Sequence, residues 1–131
     1  MQAVDGVEAV LDHLDARGIT YCLASSGTHR RIRTALTAVG FLDRFEGRIF
    51  SAEDVAHGKP APDLFLHAAA TMEVKPADCL VIEDSPLGVA AAVAAGMTVF
   101  GYAGMTDPAK LSDADKVFHN MAALTDLIDA T

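Results

Sequence analysis

Val81-Ile82-Glu83-Asp84-Ser85-Pro86 carries an apolar run into two adjacent carboxylates and then straight into a helix start. Cys79 to Ile82 are bulky and mostly aliphatic or β-branched, the pattern of a strand buried on both faces. Ser85 suits the N-cap and Pro86 the first helical position. The acidic pair then sits at the carboxyl end of a parallel strand, where open α/β sheets bind their ligands. Neighbouring carboxylates repel unless a cation joins them, and a hard divalent ion such as magnesium does so through oxygen ligands. The plainer reading is a capped helix start with two solvated acids.

Outward from that stretch, strand and helix patterns alternate. Val7, Val10, Leu11 and Leu14 recur at helical spacing up to Gly18, and Tyr21 to Ala24 reads as a short strand. Ile32, Ala35, Leu36 and Val39 make the next helix face, closed by Gly40, and Arg48 to Ser51 another strand. A longer connection, Ala52 to Ala61, leads into a helix from Pro62 with Phe65, Ala68, Ala69 and Met72 inward. After the acidic pair come a helix with Val89, Ala92 and Val93 inward, a strand from Met97 to Tyr102, a weaker one from Lys116 to His119, and a last helix from Met121 to Ala130. Alternation with helices of about ten residues implies right-handed crossovers and a parallel sheet covered on both sides. The expected fold is α/β, a Rossmann-like three-layer parallel sheet forming one domain over residues 1–131.

Size and composition bound the function. At 131 residues the chain buries a real core without disulfides. Its formal charge of −8 argues against nucleic acid or an anionic membrane as the main partner. A small anionic substrate stays open, because a local site can be positive within an acidic molecule. Cys22 and Cys79 fall in strand patterns and read as buried reduced thiols. The five histidines show no metal-ligand spacing. No apolar run approaches the roughly 20 residues of a membrane span and no signal peptide is visible, so the expected location is cytoplasmic.

Two more segments bear chemistry. In Leu23-Ala24-Ser25-Ser26-Gly27-Thr28 a hydroxyl sits where a strand runs out and a helix begins near Thr28. Backbone N–H groups there, with the Ser25 and Ser26 hydroxyls, make an anion cradle; alternatively this is a Ser/Gly turn with Thr28 as cap. In His57-Gly58-Lys59-Pro60-Ala61-Pro62-Asp63 two prolines close after Lys59 stiffen its loop. Its ammonium could neutralise a phosphate and a nearby carboxylate together, or be a solvated lysine in a connector. Arg30, Arg31 and Arg33 read as the solvated face of their helix, and His57 and His67 as structural or exposed.

In this order, on successive elements of a parallel sheet, the three segments resemble the haloacid dehalogenase-like hydrolase superfamily, most closely its β-phosphoglucomutase-like phosphatase branch. The resemblance runs from about Val7 to Tyr102 and includes Gly88 and Ala95-Gly96-Met97. It implies that Ser25, with Ser26 and Gly27, binds phosphate and that Lys59 stabilises the phosphoryl group. It also implies that Glu83 and Asp84 form the metal motif, with Asp84 the first choice as direct Mg²⁺ ligand. The implied activity is a magnesium-dependent phosphatase of small phosphorylated metabolites, foremost sugar phosphates, working through an aspartyl-phosphate; a mutase is the close alternative.

The family's first motif, a strand followed by Asp-x-Asp-Gly, has no counterpart in this sequence. Asp5-Gly6 is the nearest approach, but Ala3 stands where the nucleophile would be, and Met1 to Val4 is too short for the preceding strand. The chain is therefore expected to be the carboxyl-terminal core of a larger enzyme, without its first central strand and cap, and inactive alone. A non-catalytic binding module is the rival reading. In the resembled fold the absent strand lies between those ending at Ser25 and Glu83. Its loss leaves three expectations: the two strands pair directly, a dimer or strand exchange supplies a partner, or the domain is marginal, since each unpaired buried backbone group costs about 1–3 kcal/mol.

Overall fold

The computed structural model describes residues 5–131; Ala3 and the rest of Met1–Val4 lie outside the described residues. Among the described residues six α-helices and five strands follow in the order α1 (Val7–Ala16), β1 (Leu23–Ser25), α2 (His29–Val39), α3 (Leu42–Phe45), β2 (Ile49–Ser51), α4 (Asp63–Thr71), β3 (Leu80–Glu83), α5 (Pro86–Ala94), β4 (Thr98–Tyr102), β5 (Lys116–Phe118) and α6 (Met121–Asp129). The caps follow the local chemistry. Thr28 accepts from the Arg31 N–H, Ser85 from the Gly88 N–H and Asn120 from the Ala123 N–H, satisfying donors that a helix start leaves free. Gly40 closes α2 in the left-handed region, at φ 80°.

All strand pairs are parallel, but the sheet is split. β1 pairs with β2, setting Ser25 beside Ser51, and β3-β4-β5 form a separate ladder with Val81 beside Val99. Among the described residues no ladder joins β1 to β3. Direct pairing of those strands, one of the three expectations, is not what the chain does.

Helices cover both faces and sew the halves together. Successive strand residues turn to opposite sides, so Val81 and Val99 pack with α5 while Leu80 and Phe100 pack with α1 and α6. α4 straddles the split on the first side: Phe65 and Ala69 join the Val81–Val89 cluster, whereas Leu64 and Ala68 pack with Phe50 of β2. α1 straddles it on the other, with Val10 against Phe100 and Phe118, and Leu11 against Ile32, Leu36 and Phe45.

Some expectations need correcting. Strand β3 is not buried on both faces: Val81 is buried but Ile82 is 37% exposed, because it borders the open side of the split. Val93 points outward, 52% exposed, and Ala91 takes the inner position beside Val89 and Ala92. Leu64, fully buried, belongs with the inner face of α4, and Met72 is only half-buried. The short α3 was not legible in the helical periodicity. Cys22 and Cys79 are half-buried free thiols, and burial is the main cause pushing both above the ordinary thiol range. Among the described residues no helix is long and apolar enough to cross a membrane.

Candidate functional site

The split opens into a cleft of about 480 Å³ at the carboxyl ends of β1 and β3. Leu23, Ala24, Ser25 and Ser26 line one wall, Ile82, Glu83, Asp84 and Ser85 the other, and Lys59 enters between them. All these strands are parallel within their ladders, so the site forms where a crossover sheet leaves its helix starts pointing at one space.

Lys59 is held at three points. Its Nζ donates to the Glu83 carboxylate at 2.9 Å and to the Ala24 carbonyl at 3.3 Å, and lies 5.0 Å from the centre of the Phe65 ring. The Lys59 and Glu83 side chains are only 9% and 11% exposed. Pro60 and Pro62 limit the backbone on the lysine's carboxyl side, and the Lys59–Pro60 bond is cis. Glu83 is itself fully engaged: its other oxygen accepts from the Ser85 hydroxyl and the Asp84 N–H, both at 3.2 Å. It also fills the space beside Gly88, where any Cβ would overlap its carboxylate.

The two acids thus part company. Glu83 turns inward to Lys59, and Asp84 stays exposed at the cleft mouth, its carbonyl accepting from the Thr106 hydroxyl at 2.8 Å. Among the described residues no group of three or more His, Cys, Asp or Glu side chains gathers at one point. The donors present fit magnesium as one free carboxylate, Asp84, whose ion would take its remaining oxygens from water and a bound phosphate.

On the opposite wall the Ser25 hydroxyl accepts from the Gly27 N–H at 3.1 Å. Gly27 does not line the cleft; it holds the turn, and its carbonyl accepts from the Ser51 hydroxyl at 2.6 Å. Ser51 is fully buried, and its N–H donates to Asp54 at 2.9 Å, so the end of β2 braces the Ser25 turn. The anion cradle is narrower than the sequence suggests. The His29 N–H at the start of α2 already donates to Glu53 at 2.6 Å, so a carboxylate of the chain itself occupies that donor. Hydrogen bonds from the Ser51 N–H and from His29 hold the Asp54 carboxyl below its ordinary range.

Ser51 and Thr106 were missed from sequence, as were Tyr102, Leu87 and Met121, which complete the cleft wall. A hydroxyl ending β2 was the available signal for Ser51; Thr106 sits in a loop with no pattern. Arg30, Arg31 and Arg33 are exposed and outside the cleft lining, and Arg33 pairs with Glu46 at 2.8 Å. His57 and His67 are exposed, the latter edge-on to Phe50. Asp5 does not line the cleft.

Fold and cleft define a doubly wound α/β protein with an open cleft at the strand ends. The family described as haloacid dehalogenase-like hydrolase matches residues 2–96. A protein named "Probable pseudouridine-5'-phosphatase" from Drosophila melanogaster is 42% identical, over 98% of this chain and 55% of its own length. The β-phosphoglucomutase of Bacillus subtilis is 38% identical, over 92% of this chain and 50% of its own. A haloacid dehalogenase family hydrolase from Deinococcus radiodurans, solved with bound phosphate and sodium, superposes with a TM-score of 0.90 at 33% identity, covering 98% of this chain and 60% of that one. The chain belongs to the haloacid dehalogenase-like hydrolases, in their phosphoglucomutase-like branch. It spans about half the length of the curated relatives it matches.

Proposed function

We propose that this chain is the phosphate-holding core of a magnesium-dependent phosphatase for small phosphorylated metabolites, sugar phosphates foremost. The observation that carries the reading is the meeting of Ser25, Lys59, Glu83 and Asp84 around one cleft at the strand ends. Ser25 and Ser26 offer hydroxyls, and their turn offers backbone N–H groups, to phosphoryl oxygens. Lys59 supplies positive charge where negative charge grows during transfer, and Glu83 fixes its position. Asp84 would hold magnesium, which when bound offsets further charge on the phosphoryl oxygens.

In the mechanism the family resemblance implies, an aspartate of the Asp-x-Asp-Gly motif attacks phosphorus and a second aspartate serves as acid and base. No such motif occurs in this sequence. Among the described cleft residues Ser25 has no adjacent general base. By this reading the chain binds and polarises a phosphoryl group without cleaving it, and turnover needs the longer polypeptide typical of its relatives. Transfer between sugar hydroxyls, as a mutase performs, would use the same core with a different acceptor.

The test is an NMR titration of the chain with inorganic phosphate and magnesium. Saturable shifts of the Ser25–Thr28 amides are expected, weakened by about tenfold or more in Lys59→Met, the loss expected for a charged hydrogen bond, and unchanged in Lys75→Met. Equal affinity in Lys59→Met, or shifts confined to other surfaces, would contradict the reading.

A further inference from the structure

Asp84 is gripped on both sides of its α-carbon. Its N–H donates to the Glu83 carboxylate at 3.2 Å, and its carbonyl accepts from the Thr106 hydroxyl at 2.8 Å. Glu83 is in turn held by Lys59 at 2.9 Å. Both planar peptide groups flanking Asp84 are therefore fixed, and only the rotation of its own side chain is left free. The loop that carries Thr106 follows β4 and is pinned at both ends. At the near end the Tyr102 phenol fills the space beside Gly104, where any Cβ would overlap its hydroxyl. At the far end Asp107 accepts from the Ala109 N–H at 3.0 Å and starts a 3₁₀ turn, Pro108–Leu111. Leu111 is fully buried in the cluster of Val81, Val89 and Val99. Between these pins Met105 stands 89% exposed, while Thr106 turns back toward β3 and is half-buried.

We propose that Thr106 is a positioning residue for metal binding: through the Asp84 carbonyl it sets the direction from which the Asp84 carboxylate faces the cleft. The inference rests on the magnesium reading of Asp84 given above. Magnesium demands near-octahedral oxygen geometry, so a lone protein carboxylate serves it best when the backbone behind that carboxylate cannot swing. Contacts behind a ligand orient it, and losing one commonly costs about tenfold or more in affinity. The series Lys59, Glu83, Asp84 and Thr106 also ties the cation offered to the phosphoryl group to the carboxylate offered to the ion. The contact at 106 needs only a hydroxyl. Serine keeps it, and valine, of nearly the same shape as threonine, removes it.

The test uses the whole chain with Mn²⁺ as a paramagnetic stand-in for magnesium, followed by NMR line broadening and displaced by Mg²⁺. Wild type is expected to show saturable broadening of the Asp84 and Ser85 amides that Asp84→Asn abolishes. Thr106→Val should weaken that affinity by about tenfold, and Thr106→Ser should restore it. Phe45→Leu, in the core and outside the cleft lining, should lower stability without moving the affinity. Wild-type affinity in Thr106→Val, or no recovery in Thr106→Ser, would overturn the proposal while leaving the metal at Asp84. An equal loss of affinity in Phe45→Leu would make Thr106 a general stabiliser and overturn it too. Broadening that is absent from wild type, or that survives Asp84→Asn, would overturn both the proposal and the magnesium reading.

Discussion

Gly88 decides where Glu83 goes. With a hydrogen in place of a side chain, the first turn of α5 leaves room for the Glu83 carboxylate beside Lys59. Gly88→Ala is expected to push Glu83 out toward the cleft mouth and to destabilise the chain by about 1–3 kcal/mol, as overpacking does. Urea unfolding measures the loss, and a weaker phosphate response in the amide titration would show that Lys59 has lost its anchor. Lys59→Met should cost about 1–3 kcal/mol, because Glu83 keeps its two hydrogen-bond donors but loses its cation. Removing both charges in Lys59→Met/Glu83→Gln should restore part of that stability, as replacing a buried pair together often does. Full additivity of the single losses in the double variant would mean that the pair is not coupled.

At the scale of elements, the turn after β2 is a brace, and it titrates. Asp54 accepts from the Ser51 N–H and pairs with His29 at 2.8 Å, so its folded pKa lies below the unfolded value of about 3.9. A depressed carboxyl stabilises fully above the unfolded pKa, and the contribution disappears as pH falls through the lower folded value. Wild type should therefore lose stability relative to Asp54→Asn as pH falls below about 4, where the unfolded chain takes up the proton before the folded one does. Unfolding free energies measured against pH in both proteins check the sign; identical slopes would remove Asp54 from the account. Ser25, Lys59 and Asp84 could be found from sequence because each ends or precedes an element whose pattern is local: a strand-end hydroxyl, a lysine ahead of two prolines, an acid before a capped helix. The different fates of Glu83 and Asp84 could not, since they depend on Lys59 and on the space at Gly88. Ile82 misled for a related reason. An apolar strand residue reveals its preference for burial but not whether a neighbouring strand is there to bury it.

For the whole molecule, stability rests on helices spanning a divided sheet. Phe65→Ala should cost about 3–5 kcal/mol. It should also speed amide exchange in β1 more than in β4, because α4 ties the β1-β2 half to the larger half. Equal acceleration in both strands would mean that the halves are not coupled through α4. The central claim is that this chain holds and polarises a phosphoryl group but does not itself break the bond. Phosphate release from a panel of sugar phosphates with magnesium tests it most directly, comparing the chain, its Lys59→Ala variant, and the chain extended by an upstream strand, Asp-x-Asp-Gly motif and cap. The account predicts that the chain releases phosphate no faster than Lys59→Ala and that the extended protein turns over with magnesium. Robust, Lys59-dependent release by the chain alone would contradict it and would place a nucleophile among its own residues.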